Sequence, residues 1–199
     1  MSMAPARRKL LDAAVSVIRA QGYAATSIDA LCTEAGVAKG SFFHHFPNKE
    51  ALAVAVADYW SATTGASFTA APYRALADPL DRVLGYLEFR RAMLTGDARG
   101  FTCLVGTMVQ ETYDSHPAIR AACEASICDH AATLEADIAL AMERHSPLPG
   151  FTARSLALHT QAVLQGAFIL AKATGGATIA VESVEHLIRY VRLLFGMPP

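Results

Sequence analysis

Apolar residues recur at helical spacing along most of this chain, and glycine or proline interrupts the pattern at intervals. In the first stretch, Leu10, Ala14, Val17 and Ile18 fall on one helical face, and Gly22 follows as a stop signal. The pattern predicts an all-α protein. We expect helices over about residues 5–21, 39–46, 48–64, 78–95, 102–113, 115–144, 152–173 and 181–195, one more between Thr26 and Gly36, and a loop and a turn at 65–77 and 97–100.

Residues 26–49 indicate two short helices joined by a tight turn. Thr26, with Asp29 three positions later, is a capping-box signature for a helix start, and Gly36 can adopt a positive φ and end that helix. Two helices joined by a short turn form the helix-turn-helix pattern, whose second helix fits the DNA major groove. An ordinary corner between two helices, with solvated polar residues, is the alternative.

The second helix of this pair has an apolar and a polar side. Phe42 and Phe46 lie four residues apart on one side, which leaves the other side free for a partner. Lys39 can reach a guanine edge or a phosphate, Gly40 lets the backbone approach the duplex, and Phe43 can touch a thymine methyl group. The positions predicted from their chemistry to contact DNA are Thr26, Ser27, Lys39, Gly40, Ser41, Phe43 and His44.

The same stretch resembles a known family. The runs that carry the resemblance are Ala35-Gly36-Val37, Ser41-Phe42-Phe43-His44-His45-Phe46 and Asn48-Lys49-Glu50-Ala51-Leu52. Over about residues 7–55 the chain is similar to the TetR (tetracycline repressor-like) family of bacterial regulators.

The resemblance implies two domains: a helix-turn-helix DNA-binding domain over residues 1–47, and a helical ligand-sensing and dimerisation domain over 48–199. It also implies that His45 and Lys49 contact phosphates. The family usually has tyrosine where this chain has Phe43, so the phosphate hydrogen bond of that tyrosine is not expected here.

The charge along the chain is uneven, although the formal net charge is only −1. Residues 1–50 hold six basic and four acidic residues, a net +2, and the remainder holds eleven and fourteen, a net −3. This division suits a small basic DNA-binding domain joined to an acidic second domain. In the resembling family the start of the first helix touches the DNA backbone, a role for Arg7, Arg8 and Lys9; a solvated charge run is the alternative.

Several classes of function find no support in the sequence. No run of about eighteen apolar residues and no signal peptide are evident, so we expect a cytoplasmic protein without a membrane span. The four cysteines lack a CxxC pair, and we expect neither structural disulfides nor a metal site nor a cofactor. No Gly-rich phosphate loop or Ser-His-Asp ordering indicates an enzyme.

The resemblance implies that the second domain holds a small apolar inducer. Core packing is the alternative for every candidate side chain, because aromatic stripes at helical spacing usually pack internally. A buried Gln or Glu without a partner is costly, which singles out two of the candidates. The predicted ligand-binding residues are Trp60, Tyr86, Phe89, Met93, Cys103, Met108, Gln110, Glu111, His130 and Phe168.

The resemblance further implies that the last two helices dock on a second copy of the chain as a four-helix bundle. Internal core packing is again the alternative. The predicted interface residues are Leu156, His159, Val163, Ala167, Leu170, Val184, Leu187, Ile188 and Val191.

Cys103 is a candidate reactive thiol. It begins a predicted helix after a Gly-containing turn, and a helix N-terminus increases the thiolate fraction of a cysteine. The region around it resembles that of family members that sense electrophiles through a cysteine, whereas an inert buried thiol is the alternative.

Together these patterns predict a homodimeric repressor that binds a palindromic double-stranded DNA operator and is released by a small molecule. A transcriptional activator of the same fold, a ligand sensor that does not bind DNA, and a thiol-dependent helical enzyme are the alternatives.

Overall fold

The computed structural model describes residues 3–198, and within this range the chain is helical, with no β-strand. The all-α prediction is confirmed. No helix in this range is both long and apolar enough to span a bilayer. The helices are α1 (Pro5–Gln21), α2 (Ile28–Ala35), α3 (Lys39–His45), α4 (Lys49–Thr69), α5 (Pro79–Ala92), α6 (Ala98–Phe101), α7 (Leu104–Thr112), α8 (Pro117–His145), α9 (Ala153–Thr174) and α10 (Thr178–Leu194), with a 3-10 turn at Pro72–Ala75.

The N-terminal cap of α2 differs from the predicted one. Ser27, not Thr26, is the cap, and its hydroxyl accepts a hydrogen bond from the Ala30 N–H at 3.0 Å. The Thr26 hydroxyl instead donates to the Gly22 carbonyl at 2.6 Å. The predicted capping box is therefore wrong, because the residue three positions after Ser27 is Ala30, which has no side chain that could reciprocate. Gly36 ends the helix in the left-handed conformation, with φ 61°, as predicted.

Two segments predicted outside helices are partly helical. α4 continues to Thr69 because Phe68 is buried, with ring centroids 5.6 Å from those of both Tyr86 and Phe89. That burial outweighs the weak helix propensity of the small residues around it. The predicted turn at 97–100 contains the start of α6, whose N-terminal cap is Asp97.

The chain packs into two compact units, each assembled from separate stretches. One unit contains the chain up to Thr64 together with Cys103–Ile127, and the other contains Gly65–Thr102 together with the chain from Cys128 onward. The helix-turn-helix thus shares its unit with α7 and the first part of α8. The predicted domain boundary after residue 47 remains a prediction.

The first unit has one hydrophobic core, to which α1, α2, α3, α4, α7 and α8 all contribute. α1 buries the predicted stripe, with Leu10, Ala14 and Ile18 at most 1% exposed. α3 adds Phe42 and Phe46, which are 0% and 2% exposed. Burying an apolar side chain of this size contributes about 1.5–3 kcal/mol, so the two rings fix which side of α3 faces outward.

In the second unit, α9 and α10 pack against each other, and α5 packs against α10. α9 begins with a reciprocal capping box between Thr152 and Ser155, and it ends at Gly175 in the left-handed conformation with φ 75°. The buried carboxylate of Asp137 on α8 joins two arginines, contacting Arg74 at 2.5 Å and Arg82 at 2.8 Å. Removing this shared partner would leave part-buried guanidinium groups unpaired, which is strongly destabilising.

The predicted dimer residues on α9 and α10 differ in how far they are buried within one chain. Six of the nine are buried within their own chain, and a charge introduced at such a position would disrupt the core before any interface: Leu156, Ala167, Val184, Leu187, Ile188 and Val191. Val163 is partly exposed, and only His159 and Leu170 lie fully on the surface.

Candidate nucleic-acid interface and sensor cluster

The side of α3 opposite its buried phenylalanines is open to solvent. Four predicted DNA contacts form this exposed surface, which we term the reading face: Lys39, Gly40, Phe43 and His44. Phe43 is 50% exposed, so its ring is available for an external contact. Ser41 and His45 lie at the margins and are partly buried.

Lys39 is held within the helix-turn-helix by an exposed ion pair. Its ammonium lies 2.8 Å from the Asp29 carboxylate, and this hydrogen bond raises the pKa of Lys39. Exposed pairs of this kind contribute little stability, so a phosphate or a base edge can replace Asp29 at low energetic cost. Lys39 is therefore free to exchange Asp29 for a DNA phosphate or base edge, as predicted for it.

Gly40 has no packing reason to be glycine. A Cβ built at this position meets no other atom within 4 Å, and its φ lies outside the left-handed region. Glycine inside a helix is about 1 kcal/mol less favourable than alanine. The stability of the chain alone thus does not account for this residue, whereas close approach of another molecule to the backbone would.

Arg7 contacts α3. Its guanidinium donates to the His45 carbonyl at 3.3 Å and lies 4.5 Å from the centre of the Phe46 ring. This places Arg7 as a support for the C-terminal end of α3, where a cation suits the helix dipole. Of the predicted backbone-contacting run, Arg8 and Lys9 are exposed.

Two predicted phosphate contacts are engaged inside the protein. Thr26 is only 1% exposed, and its hydroxyl is committed to the Gly22 carbonyl. The Lys49 ammonium donates to the carbonyls of Tyr23 and Thr26 at 3.0 and 2.9 Å, and it lies 4.2 Å from the centre of the Tyr23 ring. In this structure Thr26 and Lys49 thus shape the turn between α1 and α2, and their phosphate contacts stay predictions. Ser27 remains exposed at the start of α2.

This turn, residues 22–26, which we term the head turn, is also held from α7. The Glu111 carboxylate accepts the Ala24 N–H at 2.7 Å, and a Cβ at Gly22 would collide with the same carboxylate. Gly22 also has φ 86°, a conformation that disfavours side chains. Burial lowers the pKa of Lys49, and the charge of Glu111 opposes that effect. The head turn is thus hydrogen-bonded by an anion on α7, Glu111, and by a cation on α4, Lys49.

Aromatic rings converge in the second unit. Phe68 lies at the centre, with centroid distances of 4.7 Å to His130 and 5.6 Å to both Tyr86 and Phe89. The Arg90 guanidinium lies 5.3 Å from the Phe68 ring centre and 5.5 Å from that of Phe168. We term these residues the sensor cluster: Phe68, Tyr73, Tyr86, Phe89, Arg90, His130, Gln161 and Phe168.

A chain of hydrogen bonds runs through the sensor cluster. The Gln161 amide donates to the Tyr86 hydroxyl at 3.4 Å, and that hydroxyl lies 3.0 Å from His130 Nε2. Burial first, and then the charge of Arg90, lower the pKa of His130 to about 4. The ring is therefore neutral at pH 7, and with its proton on Nδ1 it accepts from Tyr86.

The structure separates the predicted ligand-binding residues into two groups. Tyr86, Phe89, His130 and Phe168 meet in the sensor cluster, and Met93 belongs to the same unit but is 43% exposed. The other five belong to the first unit: Trp60, Cys103, Met108, Gln110 and Glu111. Met108 is part of the first unit's core, and Gln110 donates to the Gly106 carbonyl at 2.8 Å.

Four members of the sensor cluster are absent from the predicted ligand-binding residues: Phe68, Tyr73, Arg90 and Gln161. Phe68 falls in the predicted loop at 65–77. Gln161 lies among apolar residues of α9, a position that indicates a buried side chain. Arg90 could have been found from the sequence. It lies on the same helix as Tyr86 and Phe89, four residues after the first and one after the second.

Cys103 is the N-terminal cap of α7, and its sulfur accepts the Gly106 N–H at 3.4 Å. It interacts electrostatically with Arg19, whose guanidinium lies 5.2 Å from the Trp60 ring centre. The reactive-thiol hypothesis remains a prediction. In the part of the chain that the structure describes, no three His, Cys, Asp or Glu side chains converge to hold a metal ion.

Comparison with known proteins identifies the family of this chain. Residues 10–56 match the family "Bacterial regulatory proteins, tetR family", and residues 79–179 match "Transcriptional regulator LmrA/YxaF-like, C-terminal domain". The chain belongs to the TetR family. It is thus a TetR-family DNA-binding transcriptional regulator, and the resemblance implied by residues 7–55 is confirmed.

Individual TetR-family relatives are distant in sequence. The HTH-type transcriptional regulator LmrA of Bacillus subtilis is 29% identical over 68% of this chain and 72% of its own. The HTH-type transcriptional repressor DhaR of a Mycobacterium species is 28% identical over 56% of this chain and 54% of its own. A TetR-family regulator from Agrobacterium tumefaciens has the same fold, with a TM-score of 0.82 and 20% identity over 94% of this chain and 98% of its own.

Gly40 provides a test that separates folding from DNA binding. We expect Gly40→Ala to raise stability by up to about 1 kcal/mol, because alanine is the better helix former. The added methyl group should weaken affinity for the protein's own operator by roughly tenfold, since it holds the backbone away from the duplex. Gly65→Ala on α4, which also meets no neighbouring atom, is the matched control and should leave affinity unchanged. Urea unfolding and fluorescence anisotropy measure the two quantities, and unchanged affinity in Gly40→Ala would contradict the role.

His130 should make stability depend on pH. Its pKa is lowered from 6.5 to about 4 in the folded chain, so the unfolded chain binds more protons between these values. The free energy of unfolding should therefore fall as pH drops from 6.5 towards 4, with a His130 contribution of about 3 kcal/mol. Urea unfolding of wild type and His130→Gln across this range measures it. The variant should lose less stability than wild type, and parallel profiles would contradict the assignment.

Proposed function

We propose that this TetR-family protein is a cytoplasmic repressor that binds a palindromic operator as a homodimer and leaves it when a small molecule occupies the sensor cluster. The observation that carries the proposal is the composition of the reading face of α3. It presents a cation, a glycine without a side chain, a half-exposed phenyl ring and an imidazole: Lys39, Gly40, Phe43 and His44. No packing requirement within the first unit explains this combination. Contact with base edges and phosphates in a major groove does.

Dimerisation is supported by a second apolar stripe on α9 and α10. The side chains on it are exposed by 40–51%: Leu158, Ile169, Leu170, Tyr190 and Leu193. His159, also exposed, packs edge-on against Tyr190 at 5.5 Å. Such a surface on two adjacent helices suits a copy of itself, because a two-fold interface places identical patches opposite each other. The two reading faces would then meet half-sites about 34–36 Å apart.

Repression, rather than activation, is supported by the relative DhaR, which is named a transcriptional repressor. Release by a ligand is supported by the composition of the sensor cluster, where aromatic rings surround polar groups in the manner of a small-molecule site. α4 contains both Lys49, which binds the head turn, and Phe68 of the sensor cluster.

Selection of bound sequences from random duplex DNA tests the proposal directly. We expect a palindrome of two short half-sites, with affinity that falls steeply as salt rises, because cations on the protein replace counterions on the phosphates. Lys39→Ala should weaken binding to the selected palindrome by roughly tenfold. The control Arg154→Ala removes an exposed charge of the same sign from α9 and should have little effect. Weak binding without sequence preference would contradict the proposal and favour a sensor that does not read DNA.

The dimer surface has its own test. Leu170→Glu places a charge on the exposed stripe of α9, so we expect a folded monomer with at least tenfold lower operator affinity. Leu148→Glu is the control, since Leu148 is 57% exposed in the segment between α8 and α9, outside the stripe. Light scattering and circular dichroism report mass and folding. A folded Leu170→Glu variant that stays dimeric would remove this surface from the interface.

A further inference from the structure

Arg90 differs from the other arginines around it in having no acidic partner. Arg91, the next residue, pairs with Glu88 at 2.9 Å and Glu185 at 3.2 Å. Arg74 and Arg82 share Asp137. Within residues 3–198, no carboxylate pairs with Arg90, which is partly buried and whose guanidinium lies near two phenyl rings.

The surroundings of Arg90 compensate its charge only in part. Cation–π contacts with Phe68 and Phe168 contribute about 0.5–2 kcal/mol each. A partly buried cation without a counter-charge gains more from an anionic partner than a fully solvated one does. The five N–H donors of a guanidinium are also left without an acceptor from the sensor cluster, where the hydrogen-bonded chain runs from Gln161 through Tyr86 to His130.

The nearest titratable side chains cannot supply the missing negative charge. His130 is neutral at pH 7, and burial raises the pKa of Tyr73 to about 12, so its phenol stays protonated. Both groups interact electrostatically with Arg90. The described residues thus leave Arg90 without a counter-charge, which a bound anion could supply.

The geometry points to an aromatic or similarly flat apolar carboxylate as the ligand of the sensor cluster. We propose that Arg90 binds the carboxylate while Phe68, Phe89 and Phe168 bind the apolar body. A guanidinium fork matches the two oxygens of a carboxylate. A phosphate ester would bring a second negative charge into a cluster that holds one cation, so a monoanion fits better. This inference rests on the proposed ligand-release function and names the class of inducer.

Two isosteric probes test the assignment. We would titrate the full chain with 2-naphthoate and with 2-naphthamide by calorimetry, because the pair differs in charge but hardly in shape. We expect naphthoate to bind at least about tenfold more tightly, the size of effect that a charge-assisted hydrogen bond produces. Equal affinity of the two probes, or no naphthoate binding at millimolar concentration, would overturn the proposal.

Variants of two adjacent arginines locate the effect. Arg90→Met keeps the length of the side chain and should abolish the preference for naphthoate. Arg90→Gln is the second variant, to be used if thermal unfolding shows that Arg90→Met does not fold. Arg91→Met, which removes the neighbouring and ion-paired cation, should retain the preference. Naphthoate binding that persists unchanged in folded Arg90 variants would overturn the role of Arg90.

Operator binding is measured on the same samples, which keeps the two proposals distinguishable. If the chain binds naphthoate through Arg90 but no palindromic DNA, the carboxylate site stands and the repressor proposal fails. If it binds the palindrome but shows no preference for naphthoate, the repressor proposal stands and the carboxylate site fails. Release of the palindrome by naphthoate from wild type, but not from Arg90→Met, would support both.

Discussion

The head turn is the constraint on which the DNA-reading unit depends. The Lys49 ammonium donates hydrogen bonds to two carbonyls of the turn, and the Glu111 carboxylate accepts one from the Ala24 N–H. Each of these hydrogen bonds involves a charged side chain. Charge-assisted hydrogen bonds are stronger than neutral ones, although solvent weakens the exposed contact of Glu111. The head turn leads directly into α2, and α2 packs on α3, so these bonds help to position the reading face within the first unit.

The local elements could be predicted from sequence where one side of a helix was plainly apolar. Phe42 and Phe46 oriented α3 correctly because a short helix with two large rings has only one side to bury. The roles of Thr26 and Lys49 could not be predicted, because they depend on carbonyls that tertiary structure brings to them. A hydroxyl or ammonium that suits a phosphate suits a backbone carbonyl equally well.

α9 and α10 illustrate a second limit of sequence reasoning. Each carries apolar residues on more than one side, so periodicity alone gives two candidate stripes. The side chains chosen for the dimer, such as Leu156 and Val191, belong to the stripe that fills the chain's own core. Leu158 and Leu193, on the other stripe, are exposed and went unnoticed. In the sensor cluster, Tyr86, Phe89 and Phe168 are among the predicted residues, whereas Arg90 is not, because a charged side chain usually faces solvent.

The division of the first unit into two separate stretches of chain has a consequence for engineering. Chimeric regulators are built by joining the reading head of one protein to the sensor of another, and a cut after the helix-turn-helix is the obvious choice. Here such a cut would separate Gly22 and Ala24 from Glu111, and Tyr23 from His116, whose ring lies 5.3 Å away. A transplantable head would have to carry Cys103–Ile127 along with the N-terminal helices.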